Sequence, residues 1–166
     1  MGERAFFLIH SVLEWLSGIG LFGLFLTMFI EGASIPFPGI VVVLAYGYIM
    51  PSNILETIFI ALGMSVFYSL ASIIPYSIAY KLESVLPKRL RAGLEKAKKW
   101  FGKYGVWSIA LTRPFGVGNY ISYVAGMTKV KPVRFVLLTF IGIFPWALGM
   151  LIIGSDTIPV IKQIFL

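Results

Sequence analysis

Two ionisable residues stand deep inside apolar stretches of the chain, Glu31 and Arg113. A charge at the centre of a membrane helix costs about 2.5–3.5 kcal/mol on insertion scales, so it is held there for function or by a counter-charge. Each precedes a helix-breaking cluster. Ser34-Ile35-Pro36-Phe37-Pro38-Gly39 follows Glu31, and Pro114, Gly116 and Gly118-Asn119 follow Arg113. A guanidinium can hold a phosphate or carboxylate through two parallel hydrogen bonds. Unpaired turn amides and half-helix ends can add to that grip. The carboxyl of Glu31 can pair with Arg113 or exchange a proton. A buried pair that only fixes the fold is the competing reading.

Other chemistry finds little support. His10 is the single histidine and reads as an interfacial residue, and Asp156 reads as the boundary of the last apolar span. No His, Asp and Glu set has metal-ligand spacing, no Gly-x-Ser-x-Gly elbow appears, and no phosphate-binding loop does. A hydrolytic enzyme would lack a base, so the expectation is a non-enzyme without cofactor or metal. The chain has no cysteine, which excludes disulfide and thiol chemistry.

The elements that position Glu31 and Arg113 must be ones that lipid permits. The chain is 58% hydrophobic and 13% charged, with a mean hydropathy of +0.91. A soluble domain carries about a quarter charged residues, and half that share cannot cover a particle in water. The expected class is an all-α integral membrane protein, one domain over 1–166. The N-terminus does not read as a removable signal: His10 and Glu14 interrupt its apolar run and no small-x-small site follows.

The clean spans are 54–80 and 133–154, each above the roughly 20 residues that cross a bilayer as a helix. Ala61, Ser65, Ser69 and Ser72 form a small-residue stripe suited to close helix packing. Residues 105–127 are long enough to span but are broken at Arg113-Pro114, Gly116 and Gly118, with cations on both flanks. If both flanks lie on one side, the segment enters and returns. As helix, 105–112 reaches about 12 Å, near the midplane, and broken backbone at that depth must line a cavity.

The first half repeats this design. Trp15 and Gly20 stand 85 residues before Trp100 and Gly105, and Gly47 and Gly63 stand 79 before Gly126 and Gly142. A repeat holding one full crossing places its copy upside down. The expected architecture is therefore an inverted repeat of a re-entrant helical hairpin plus a transmembrane helix, over about 5–80 and about 100–155.

Residues 81–103 hold eight of the fourteen cations against Glu83 and Glu95, a net of +6, and Lys129, Lys131 and Arg134 add +3. Cationic loops between apolar spans mark the cytoplasmic side, so nucleic acid is not the expected partner. Within 84–104, Leu86, Leu90, Leu94, Ala97, Phe101 and Tyr104 recur at helical spacing opposite the cations, and Pro87 suits a helix start. This predicts a basic amphipathic helix on an anionic leaflet, with Lys96, Lys98 and Lys99 touching lipid.

These residues together resemble the DedA family of membrane proteins, also called the SNARE-associated or VTT-domain family, over roughly 10–155. Glu31-Gly-Ala-Ser-Ile-Pro36-Phe-Pro38-Gly39 is similar to the family's Glu followed by Pro-x-Pro-Ser/Gly. Phe101-Gly-Lys-Tyr-Gly105, then Arg113-Pro-Phe-Gly116-Val-Gly-Asn-Tyr-Ile-Ser122-Tyr-Val-Ala-Gly126, looks like its Arg-Phe-x-Pro-Gly-x-Arg stretch ending in Ala-Gly, and Phe135, Gly142 and Trp146 continue the pattern. The resemblance implies paired re-entrant loops and movement of lipids or lipid-linked carriers, with polyprenyl phosphate and phospholipids as substrates and proton coupling in some members. Many members carry a second acid after the Pro-x-Pro, where this chain has Ile40. Many carry a second Arg where it has Gly118.

The reading is a flippase- or scramblase-like transporter of an anionic lipid or polyprenyl-phosphate carrier in the plasma membrane of a prokaryote. Glu31 and Arg113 bind substrate or couple protons, on turns built from Pro36, Pro38, Gly39, Pro114, Gly116, Gly118 and Asn119. Residues 81–104 and 129–134 are expected on the cytoplasmic side, and a homo-oligomer is left open. The alternatives are a non-transporting scaffold with a structural Glu–Arg pair and a small-ion secondary transporter.

Overall fold

The computed structural model describes residues 18–35, 38–50, 53–81, 91–113 and 118–165, with side chains of 91–93 and 156–165 outside that description. The described chain holds α1 (Gly18–Gly32), α2 (Gly39–Ile49), α3 (Ile54–Ala71), α4 (Ile73–Lys81), α5 (Arg91–Tyr104), α6 (Ser108–Leu111), α7 (Gly118–Met127) and α8 (Pro132–Phe165), and no strand.

Local chemistry explains where these helices start and break. Asn53 caps α3: its side-chain oxygen accepts from the Glu56 amide at 3.0 Å, and Glu56 adds a negative charge at the positive end of the helix. The expected span 54–80 is not one uninterrupted helix. It turns at Ser72, because Pro75 lacks the N–H that would bond the Ala71 carbonyl and its ring crowds that carbonyl. At the turn Ser72 donates its hydroxyl to the Ser69 carbonyl at 2.8 Å. α3 and α4 run 28 residues and α8 runs 24 to Ser155. At 1.5 Å per residue both exceed the roughly 30 Å hydrocarbon thickness.

Polarity is arranged inside out. Phe59, Val66, Phe67, Leu70 and Ile74 on α3–α4, and Val133, Leu137 and Ile141 on α8, face outward, while Ser65, Ser69, Ser72, Ser108, Thr112, Ser122 and Thr139 are buried. Several buried hydroxyls bond back into their own helices, as Ser65 does to Ala61 (2.7 Å) and Thr112 to Ser108 (2.7 Å). An apolar band of that extent is untenable in water but suits hydrocarbon. The small-residue stripe Ala61, Ser65, Ser69 and Ser72 is buried, as its spacing suggested.

Two apolar clusters flank the long helices. One joins α1, α2, α3 and the later part of α8 through Leu24, Met28, Tyr46, Met64 and Ile143. The other joins α4, α5, α7 and the start of α8 through Tyr76, Leu94, Ala97, Ile121 and Phe135. Thus the apolar stripe of the basic helix is used differently from expectation. Leu94 and Ala97 are buried and Phe101 half-buried, packed with residues of α7, and Tyr104 faces outward. A neighbour with a complementary apolar face takes the stripe that lipid was expected to receive. Leu86, Pro87 and Leu90 lie outside the described residues.

Within 105–127 the described helices on either side of residues 114–117, which lie outside the described residues, are α6 and α7, and α6 is shorter than an eight-residue half-helix. Gly105, at φ 57°, ends α5, a 3-10 turn follows over Gly105–Trp107, and α6 is four residues long. The positive φ is one that glycine adopts without steric cost.

Candidate functional site

Arg113 follows α6 directly and is 6% exposed. Its Nη1 donates to the Gly118 carbonyl at 2.8 Å, to the Ser122 hydroxyl at 3.3 Å and, weakly, to the Tyr68 hydroxyl at 3.4 Å. Its Nη2 donates to the Thr139 hydroxyl at 2.7 Å and to Ser122 at 3.3 Å. The rings of Tyr68 and Phe135 lie 5.3 and 5.8 Å from the guanidinium carbon. Every one of these partners is uncharged, and the Nε–H has no partner among the described residues. Gly118 makes the fit possible: a Cβ there would stand 3.0 Å from Arg113 Cα and 3.2 Å from its Cδ.

Glu31 sits in the last turn of α1. The Ser34 amide bonds the Glu31 carbonyl (3.0 Å) and the Ile35 amide bonds the Ile30 carbonyl (3.3 Å), with Ser34 at φ 63°. That is a helix-closing turn whose left-handed position usually falls to glycine. The Glu31 carboxylate rests against the Cα of Gly39, which opens α2, and a Cβ there would overlap it. The acid therefore leaves the negative end of α1, where its charge is disfavoured, for the positive end of α2. Its Oε2 is buried without a partner, as are the hydroxyls of Ser34 and Ser69.

Tyr68 on α3 connects the two halves of this arrangement. Gly32, beside Glu31, packs on the Tyr68 carbonyl, and the Tyr68 hydroxyl donates to Asn119 Oδ1 at 2.7 Å beneath Arg113. Glu31 lies within electrostatic range of that hydroxyl. No ion pair joins Glu31 to Arg113. The four buried polar atoms without partners among the described residues, on Glu31, Ser34, Ser69 and Arg113, all belong to segments that meet at Tyr68. Buried polar groups are normally bonded, and each such exception is a place where water or a polar ligand can bond.

Of the residues singled out from sequence, Glu31 and Gly39 meet each other, and Arg113, Gly118 and Asn119 meet around the Tyr68 hydroxyl, Asn119 through its side chain. Pro38 precedes α2 and is exposed, and Pro36, Pro114 and Gly116 lie outside the described residues. Lys96, Lys98 and Lys99 are on the exposed face of α5, apart from this site. Tyr68, Ser122 and Thr139 were not assigned from sequence. The available signal was a hydroxyl in an otherwise apolar span; Ser69 beside Tyr68 carried it but read as packing. No group of His, Cys, Asp and Glu suited to a metal occurs among the described residues.

Comparison with known families matches the VTT domain over residues 35–156. Undecaprenyl phosphate transporter A of Staphylococcus aureus (strain NCTC 8325 / PS 47) is 24% identical over 155 residues, spanning 86% of this chain and 76% of that protein. Undecaprenyl phosphate transporter A of Bacillus subtilis (strain 168) is 28% identical over 156 residues, spanning 89% and 76% respectively. No solved structure matches.

Proposed function

The chain belongs to the VTT-domain, or DedA, family, and on that premise we propose that it moves a polyprenyl phosphate between the leaflets of a bacterial membrane. Arg113 is the group that receives the phosphate, Glu31 is the acid that faces it across Tyr68, and the hairpins α1–α2 and α6–α7 are re-entrant. The observation that carries this reading is the buried guanidinium with uncharged partners only and an unused Nε–H. A cation so held attracts an anion, and a planar donor fork suits a phosphate. The names of the two curated relatives supply the carrier class. A scaffold whose Glu–Arg pair merely fixes the fold would have the two side chains bonded, and they are not.

The same proposal makes the halves an inverted repeat. In its favour, the glycines matched at a spacing of 85 share one conformation, φ 58° at Gly20 and 57° at Gly105. The glycines matched at 79 play corresponding parts. Gly47 on α2 packs against the Leu151 backbone of the second long helix, and Gly126 on α7 against the Tyr76 backbone of the first. Gly63 packs on Phe25 of α1, and Gly142 on the Ala110 backbone of α6. Each returning helix thus lies on the other half's long helix, and each entering helix on its own.

The test is transport of a labelled polyprenyl phosphate by the purified protein in vesicles, alongside thermal stability. Arg113→Lys, Glu31→Gln and Arg113→Gln should each impair transport, and Arg113→Lys should do so with folding largely intact. Full transport by the double variant Glu31→Gln/Arg113→Gln would rule out Glu31 and Arg113 as the substrate site, and absence of transport by the unmodified protein would rule out the function.

A further inference from the structure

We infer that the outer face of α5 carries a second, separate site, for the phosphate of an anionic phospholipid, with Lys99 and Lys103 flanking the phosphate and Trp100 and Tyr104 against the glycerol and upper acyl chain. The inference does not depend on the substrate of the Arg113 site. Residues four apart share a helix face, so the two lysines form one row and the two aromatics the next. These four side chains line an open groove of about 260 Å³. The Trp100 and Tyr104 rings lie 5.2 Å apart between centroids, and the Lys103 ammonium rests 5.0 Å above the Tyr104 ring.

The groove is held in place, because Leu94 and Ala97, on the apolar stripe that Tyr104 ends, are buried. Its charge is also available. Lys98 is bridged to Glu95 at 3.4 Å, whereas no carboxylate pairs with Lys99 or Lys103 among the described residues. Amphipathic aromatic rings settle at headgroup level, and cations at that level draw anionic lipid. A ligand with a phosphate at one end and an apolar chain at the other satisfies both rows, whereas a free phosphate satisfies only the lysines. Of the lysines expected from sequence to touch lipid, Lys99 belongs to this groove, with Lys103 beside it.

The experiment uses the full chain in nanodiscs of phosphatidylcholine with a tenth of phosphatidylglycerol. Bromine is placed near the carbonyl of either lipid, and Trp100 quenching is obtained as the difference from Trp100→Phe. Bromine on phosphatidylglycerol should quench Trp100 several-fold more than bromine on phosphatidylcholine at equal mole fraction. A cation near an anionic surface is worth about fivefold in partition, so Lys99→Gln/Lys103→Gln should bring the two lipids to nearly equal quenching. Lys99→Arg/Lys103→Arg should keep the preference, and Lys96→Gln/Lys98→Gln, with the same loss of charge, should leave it within about twofold. Equal loss in both Gln pairs would reduce the site to diffuse attraction, and no preference in the unmodified protein would abolish it.

Discussion

Replacing Gly39 by Ala tests whether the placement of Glu31 matters separately from the fold. The added methyl would occupy the space of the Glu31 carboxylate, which is the far end of a flexible side chain and makes no hydrogen bond through Oε2. Swinging it away costs on the order of 0.5–1.5 kcal/mol in rotamer energy. Ala for Gly within a helix returns up to about 1 kcal/mol. The two nearly cancel, so the melting temperature should move little. Gly126→Ala is the matched comparison: its methyl would meet the Tyr76 carbonyl and stand 3.0 Å from Ala79 Cβ and from the Tyr80 amide. Neither backbone group can yield without parting α7 from α4, so about 1–3 kcal/mol of stability should be lost. Transport by Gly39→Ala should nevertheless fall by about tenfold or more, the scale on which small displacements act in a positioned site. Melting in detergent and transport in vesicles are read on the same preparations. Wild-type transport by Gly39→Ala would refute the role of the carboxylate's position. A melting loss equal to that of Gly126→Ala would refute the claim that the carboxylate is free to move.

Thr139→Val removes the acceptor of the shorter of the two Nη2 bonds, 2.7 Å. A buried charged donor is then partly unmet, and thermal unfolding should show a loss of about 1–3 kcal/mol that Thr139→Ser restores. Tyr68→Phe removes the hydroxyl shared by Asn119 and Arg113. Stability should fall by about 1 kcal/mol, and transport should fall with it if Tyr68 holds the two turns together. Single cysteines at Ser84 and Thr128 should label from one face with an impermeant reagent, since the cations concentrate on both loops. Labelling from opposite faces would mean that 105–127 crosses the membrane.

The broken helices and the two buried charges were legible because lipid leaves few reasons for Pro, Gly, Glu or Arg within an apolar run. Gly47, Gly63, Gly126 and Gly142 were matched in sequence as marks of a repeat, not as packing positions; Gly47, Gly126 and Gly142 each meet another segment's backbone and Gly63 meets the Phe25 ring. What escaped depended on side-chain direction. Periodicity assigned an apolar stripe to α5 but could not say whether lipid or α7 receives it. Tyr68 and Thr139 are unremarkable in sequence, and become ligands of Arg113 only because α3 and α8 bring residues far apart in the chain to one place. The turn at Ser72 was not read from Pro75, because a proline in a membrane span is compatible with either a continuous or a broken helix.

The separation of Glu31 from Arg113 bears directly on which function is proposed. Had the two been bonded, the site would be neutral and its donors occupied, and an entering phosphate would have to break a buried ion pair before gaining anything. Instead the guanidinium is stabilised by dipoles of Gly118, Ser122 and Thr139 and by the faces of two rings. Such partners lower the cost of burying the cation without cancelling its charge. A phosphate placed against the unused Nε–H would supply the missing counter-charge. In the proposed function the unpaired Glu31 carboxylate acts in the opposite sense: while ionised it would repel that phosphate, and protonation would remove the repulsion. A site with one fixed cation and one group able to change its charge can hold an anion and also let it go. Movement across the membrane needs both, and a structural ion pair provides neither.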